Sequence, residues 1–206
     1  MPATARPRSR ELSPSTGAHA AALATLEAWE AGTQDQARLR DEYVVHLRAR
    51  PDGLLRACTP DHLTAGAVVL SPDLDAVLLN LHRRARRWFA FGGHYEPDDA
   101  SLLAAALREA TEESGLPGLL LDPQPVHLDS HAVDFCQPGR TVRHLDVRYA
   151  ALAPRDTDHH VSEESLDVRW WPVTALPELE DEMVTLIALA ISRLQSAAPS
   201  SLAPQE

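Results

Sequence analysis

Lysine is absent from this 206-residue chain: all nineteen basic residues are arginine. That absence excludes a P-loop lysine, a Schiff-base lysine and the strand lysine of protein kinases. Cysteine is nearly absent. Cys58 and Cys136 are the only two and form no CxxC pair, which gives no support to a disulfide framework or a thiolate zinc site. No apolar run approaches the roughly eighteen residues of a membrane span, and the N-terminus lacks an apolar signal core. The expectation is therefore a cytoplasmic protein with no membrane partner. No GxSxG elbow is present, so a serine hydrolase has no motif to rest on.

Positive charge is also scarce. The formal net charge is −11, which argues against a chain that coats a nucleic-acid polymer. An anionic small molecule would need local arginines or a metal ion to approach. With 44% hydrophobic and 24% charged residues, the composition is that of a globular domain, and the length suits one domain with frayed ends.

Residues 1–16 are rich in proline, serine and arginine and read as a disordered tail, as do residues 197–206. A helical extension is expected over 17–58. Within it Thr33 and Gln36 form a T-x-x-Q capping box, Leu39, Tyr43, Val44 and Leu47 share one face, and Pro51 ends the run. From residue 59 to 196 the pattern becomes that of a single α+β domain. Strands are expected at Val68–Leu70 and Ala76–Leu81, with Ser71-Pro72-Asp73 turning between them. A short apolar stretch from Trp88 to Phe91 leads into Gly92-Gly93, and a helix follows from about Asp99 to Ser114. Further strands are expected at Leu119–Leu121, Val126–Val133, Val142–Ala151 and Val168–Trp171. Along Val142–Ala151, Leu145, Val147 and Tyr149 alternate with Asp146 and Arg148. Glu180–Leu194 closes the chain as a helix, with Met183, Leu186, Ile187, Ala190 and Leu194 on one face. A mixed sheet covered on both faces accounts for this order.

The central helix carries the chemistry. Leu103, Ala106, Leu107 and Ala110 make one apolar stripe, Gly115 suits the left-handed position past the helix end, and Pro117 prevents continuation. Glu109, Glu112 and Glu113 are spaced i, i+3, i+4, within an arc of about 100°. Carboxylates held that close repel, and the helix dipole disfavours them in a last turn. Arg108, four residues before Glu112, is one compensating charge. A divalent cation is another, and hard oxygen ligands suit Mg²⁺ or Mn²⁺. The Gly92-Gly93 pair lets backbone approach a ligand. The run Arg83, Arg84, Arg86, Arg87 could meet phosphate oxygens, with Arg84 and Arg87 as candidates for substrate binding. His94, directly after the glycines, is a candidate for substrate contact or for a structural turn. His127 and His131 share one strand face but lack a third ligand, and read as ordinary histidines. Trp88, Trp170, Trp171 and Tyr149 lie beside strands and read as core.

This segment resembles the Nudix box, G-x5-E-x7-R-E-U-x-E-E-x-G-U with U apolar. Gly93 matches the opening glycine, and Arg108, Glu109, Ala110, Glu112, Glu113, Gly115 and Leu116 match the second half without a gap. The flanks are similar too, including Asp167-Val168-Arg169-Trp170-Trp171-Pro172 before a closing helix. The resemblance spans roughly 63–194. One departure stands out: the loop carries one extra residue, and Asp99 stands where the first glutamate is counted. Glu96, Asp98 and Asp99 are the candidates for its bracing role.

The resemblance implies an α/β/α sandwich and an MutT-like pyrophosphohydrolase acting on a nucleoside diphosphate derivative. It implies Mg²⁺, or Mn²⁺, held by Glu109, Glu112, Glu113 and a backbone carbonyl near Gly93. Arg108 would orient the carboxylates, and the general base would be Glu109 or Glu112, or else Glu163 or Glu164 on the loop before Val168. The resemblance allows a homodimer. Two alternatives share the fold. An isopentenyl-diphosphate isomerase carries a catalytic cysteine where this chain has Gly92, and a non-catalytic nucleotide sensor often loses box glutamates that this chain keeps.

Overall fold

The computed structural model describes residues 16–197, apart from Pro138 and Glu164. The tails expected at 1–16 and 197–206 lie almost wholly outside the described residues, as does Glu164. The sheet is organised around β1 (Asp61–Leu70), whose burial is unbroken from His62 to Leu70. One edge of β1 pairs in parallel along its whole length with β7 (Arg140–Leu152), from Asp61 opposite Arg143 to Leu70 opposite Leu152. Its other edge is divided. Val69 and Leu70 pair antiparallel with β2 (Ala76–His82), whereas Thr64–Ala67 pair antiparallel with β4 (Phe91–His94). β3 (Trp88–Phe89) and β8 (Ser165–Pro172) pair with β2, and β5 (Leu120–Leu121) and β6 (His127–Gln137) pair with β7. A single parallel pair in an otherwise antiparallel sheet makes it mixed, as expected.

The strand β1 starts seven residues before the Val68–Leu70 segment that its apolar run predicts. Asp61, His62, Thr64 and Gly66 break the hydrophobic signal, yet from His62 onward the strand is buried, because a central strand is covered on both faces of the sheet. Alternation along β1 and β7 divides the core. Leu63, Ala65, Ala67, Val69, Leu145, Val147, Tyr149 and Ala151 form one cluster with the helices α1 (Thr16–Ala28), α2 (Gln34–Ala49) and α3 (Leu102–Ser114). On the opposite face Val68, Leu70, Val77, Leu79 and Ala150 pack on α4 (Asp181–Ser196), through the Met183, Leu186, Ile187, Ala190 and Leu194 stripe read from the sequence. The fold is thus an α+β sandwich with helices on both faces of the sheet.

The N-terminal helices are tied in by polar contacts as well as by burial. The Thr33 side chain caps α2 by accepting from Gln36 N–H at 3.2 Å. The reciprocal half of the expected box is replaced by a longer-range bond. The Gln36 amide donates to the Leu128 carbonyl at 2.9 Å and accepts from the Leu128 N–H at 2.7 Å, covering part of the β6 edge as a paired strand would. Buried Tyr43 donates its hydroxyl to the Asp129 carbonyl, and His19 Nε2 donates to the Leu47 carbonyl at 2.9 Å. At the far side Arg193 of α4 grips buried Asp122 with two bonds of 2.9 Å.

Leu47 of α2 is fully buried in the core cluster that the N-terminal helices share with the sheet. The Leu47→Ala variant is expected to lose about 2–5 kcal/mol of stability, from lost transfer energy and the residual cavity. A lower urea midpoint at constant slope checks this.

Candidate active site

Ser101 starts the central helix, its side chain accepting from Ala104 N–H at 3.1 Å, and Gly115 ends it at φ 73° with its N–H on the Thr111 carbonyl. A side chain at Gly115 would run into the His160 ring as well as strain the backbone. The helix therefore begins three residues later than the sequence predicts, and its buried stripe is Leu102, Ala105, Ala106 and Ala110, with Leu103 and Leu107 half-buried. Alanines at the contact let α3 lie close on β1 and β4. Asp99 is left in the preceding loop, free to serve another purpose.

That purpose is Arg108. Asp99 is 8% exposed and receives Arg108 Nε at 3.1 Å and a terminal guanidinium nitrogen at 3.0 Å. Its second oxygen also accepts the Glu96 N–H at 2.8 Å, which closes the loop on itself. The same guanidinium donates to Glu109 at 3.0 Å, to Glu112 at 3.2 Å and to the His94 carbonyl at 2.9 Å. Burial disfavours the charged guanidinium, but bonds to Asp99 and the charges of Glu109 and Asp99 outweigh it and hold its pKa above the usual value. Of the three carboxylates that were candidates for the bracing role, Asp99 stands in the bracing position. The extra loop residue is absorbed before the helix begins.

The three helical glutamates differ in surroundings. Glu113 is nearly buried, and its carboxylate accepts the Gly92 N–H at 3.1 Å. Glu109 lies against Gly93, where an added Cβ would come within 2.7 Å of the carboxylate. Glu112 is the exposed member, at 62%. Among the described residues, two clusters bring three or more histidine, cysteine or carboxylate donors within 4.8 Å of one another, and neither contains these glutamates. Arg108 sits between Glu109 and Glu112 instead, and like charges on one helix turn fan apart. The donor set still fits a hard divalent cation: three carboxylates on adjacent turns, a glycine cradle that a side chain would fill, and backbone beside it.

The other candidates lie outside α3. Gly93 pairs with Ala65 and faces α3, so His94, paired with Thr64, points to the opposite face. Its imidazole lies beside Cys136, with Nε2 at 3.2 Å from the sulfur, and burial together with nearby His144 pushes its pKa down to about 3. His144 is pushed down to about 4, chiefly by burial. Arg84 is exposed in the hairpin between β2 and β3, and Arg87 pairs with Glu180 ahead of α4. Glu163 is exposed, and its carbonyl receives Arg83 Nε at 2.9 Å.

A buried polar group also stands on the middle strands. Asp146 is buried, bonded by Thr64 and paired with Arg148. Burial alone would raise its pKa; the guanidinium, His131 and the Thr64 hydroxyl hold it below the ordinary carboxylate value. The signal was present in the alternation of β7, because polar residues on one face of a central strand must face something other than a helix core.

Removing Asp99 should leave Arg108 short of its best partner inside a half-buried site. The Asp99→Ala variant is expected to lose about 3 kcal/mol, the low end for breaking a buried pair, because Glu109 and Glu112 still hold the guanidinium. Thermal or denaturant unfolding measures it, and a loss below 1 kcal/mol would contradict the bracing role.

Known proteins share this fold. A family model described as the NUDIX domain matches residues 60–190. A NUDIX-family hydrolase from Clostridium perfringens superposes with a TM-score of 0.53 at 22% identity, covering 65% of this chain and 97% of that one. An Ap4A hydrolase from C. elegans in a binary complex superposes with a TM-score of 0.50 at 18% identity, covering 66% and 98%. No curated protein matches the sequence. Among the described residues, no helix is long and apolar enough to cross a membrane. The match covers well over half of the chain, and the chain belongs to the Nudix family of hydrolases.

Proposed function

We propose that this Nudix hydrolase is a divalent-metal-dependent pyrophosphohydrolase that cleaves the diphosphate linkage of a nucleoside diphosphate derivative. One observation carries the reading: Arg108, braced by Asp99, ties Glu109 and Glu112 to the strand bearing Gly92-Gly93, while Glu113 is anchored on the Gly92 N–H. Nothing in that arrangement is needed to close a hydrophobic core. It is a way of keeping three carboxylates on one helix beside a gap in side-chain volume.

Glu109, Glu112, Glu113 and backbone at Gly93 are the groups that would hold Mg²⁺ or Mn²⁺. When bound, such an ion offsets diphosphate charge and lowers the pKa of a water. The need for it follows from the net charge of −11, which opposes the approach of an anionic substrate. Water attacks one phosphorus, the bridging P–O bond breaks, and the second phosphate leaves with the bridging oxygen. A carboxylate takes the proton from the attacking water. Glu109 and Glu112 are the candidates on the helix, and Glu163 and Glu164 are those that precede β8 in the sequence. Arg108 touches no substrate in this scheme; it positions the carboxylates. Arg84 and Arg87 in the hairpin are the proposed phosphate contacts, and Arg87 would have to exchange its partner Glu180 for substrate.

The test is phosphate or pyrophosphate release across a panel of nucleoside diphosphate derivatives, with Mg²⁺, with Mn²⁺ and with a chelator. Turnover is expected with either ion and none with the chelator. Glu113→Gln is expected to lower kcat at least ~10²-fold, the order lost with a metal ligand or its support, with an unchanged circular dichroism spectrum. Wild-type turnover in that variant would remove the glutamates from the mechanism.

A further inference from the structure

The face of the sheet opposite α3 carries a second constellation. His62 of β1, His94 of β4, Cys136 of β6 and His144 of β7 come from four adjacent strands, and one donor atom from each lies within 4.8 Å of all the others. Strand register explains the convergence. His62 and His144 are directly opposed in the parallel pair, and His94 opposes Thr64, which shares a face with His62. The register of β6 against β7 shifts between Val133 and Gln137, and Cys136 lies in that irregular stretch. The three imidazole centroids are 5.0–5.2 Å apart. The sulfur lies 3.2 Å from His94 Nε2 and 3.8 Å from His62 Nε2.

Three further features suit coordination. His62 Nδ1 lies 3.0 Å from the Cys58 carbonyl. A carbonyl can only accept, so Nδ1 carries the proton and the Nε2 lone pair is left facing the cluster. His144 Nε2 is buried with no hydrogen-bond partner. Such an atom inside a folded chain calls for an explanation, and an ion is one. The rings are tilted 36–90° to one another rather than stacked, so their edges, where the lone pairs are, can turn to one point.

We propose that His62, His94, Cys136 and His144 form a zinc site with four protein ligands, distinct from the carboxylates of α3. Three imidazoles and one thiolate are the borderline-soft donors that suit Zn²⁺, whereas the hard cations of the glutamate site prefer oxygen. Zn–N bonds of about 2.0–2.1 Å and a Zn–S bond of about 2.3 Å put tetrahedral donors roughly 3.3–3.6 Å apart, so donors that already lie within 4.8 Å of one another need only small side-chain rotations to close. A site closed by four protein ligands leaves no position for water or substrate, and its role is structural. It staples β4, β1, β7 and β6 side by side. Through His94, whose carbonyl receives Arg108, the staple reaches the strand that lies under the glutamates.

The test uses the full chain and does not depend on its hydrolytic activity. Protein purified without chelator or metal-affinity resin is expected to contain about one zinc per chain, measured by elemental analysis. Removing zinc with a chelator is expected to lower Tm, and zinc alone restores it. Cobalt added to the zinc-free protein is expected to give the intense visible bands of a tetrahedral ion and a thiolate charge-transfer band in the near ultraviolet. Cys136→Ser abolishes that band and lowers zinc affinity at least ~10-fold, and His144→Ala lowers zinc content. Glu113→Gln leaves zinc content and the cobalt spectrum unchanged. A folded wild-type protein that holds no zinc and gives no charge-transfer band overturns the proposal, without recourse to any variant. A zinc content lost in Glu113→Gln but kept in Cys136→Ser also overturns it. Failure of hydrolysis in the nucleotide panel leaves these readouts untouched, so the two proposals fail separately.

Discussion

The site depends on keeping three negative charges on adjacent turns of one helix. Glu109, Glu112 and Glu113 would each be more stable apart, and α3 cannot separate them. Arg108 resolves the conflict by occupying the space between Glu109 and Glu112 while anchoring itself outside the helix, on Asp99 and the His94 carbonyl. A guanidinium suits this task because its planar fork offers several donors at fixed angles. A lysine ammonium in its place would be a point charge with no fixed direction. Glu113 is handled differently. It turns towards the sheet and is held by a backbone N–H, which costs no second charge. One helix thus presents an exposed, a half-buried and a nearly buried carboxylate, the first two sharing Arg108 and the third held by the Gly92 N–H.

The divided edge of β1 makes this geometry possible. Were β2 to pair with β1 along its whole length, no strand would be free to carry Gly92-Gly93 beneath α3. Instead β2 leaves after Val69 and Leu70 and pairs with β8, and β4 fills the remaining half. The period of the strand then does the rest. Gly93 faces the helix and the next residue, His94, faces away. Two different chemistries stand back to back across a single strand, hard oxygen donors on one side and nitrogen and sulfur on the other. Neither contaminates the other's donor set.

What the sequence discloses follows from how local each feature is. The helix, its caps and the i, i+3, i+4 glutamates are local, and α3 lies where the pattern predicts, three residues shorter at its start. The sequence leaves three candidates for the bracing residue, because Glu96, Asp98 and Asp99 differ in how the loop folds back on Arg108. The first half of β1 is hidden by His62, Thr64 and Gly66, which lie on a central strand and meet polar partners such as His94, His144 and Asp146 on their face of the sheet, and not a hydrophobic one. The His62, His94, Cys136 and His144 cluster was invisible to a search by spacing. Zinc motifs are recognised by ligands a few residues apart, and these four are assembled by register from four strands. His127 and His131, which do have a short spacing, are used separately: His127 bonds the Gln36 amide, and His131 pairs with Asp129.

The N-terminal helices bear on the site through the core. Ala18, Ala22 and Leu26 of α1 and Tyr43, Val44 and Leu47 of α2 belong to the same cluster as Ala105, Ala106 and Ala110 beneath the glutamates. The NUDIX match begins at residue 60, after both helices, yet no break in packing occurs there. A helix lined with alanines on its buried side gains little from its own side chains, at roughly 25 cal/mol per Å² of apolar area. Its fixed position must come from neighbours on more than one side. The sheet supplies one wall for α3, and α1 adds contacts beside it. Precision at Glu109 and Glu113 is therefore inherited from residues outside the carboxylate site, which is why the added helices belong in an account of the site and not only of the fold.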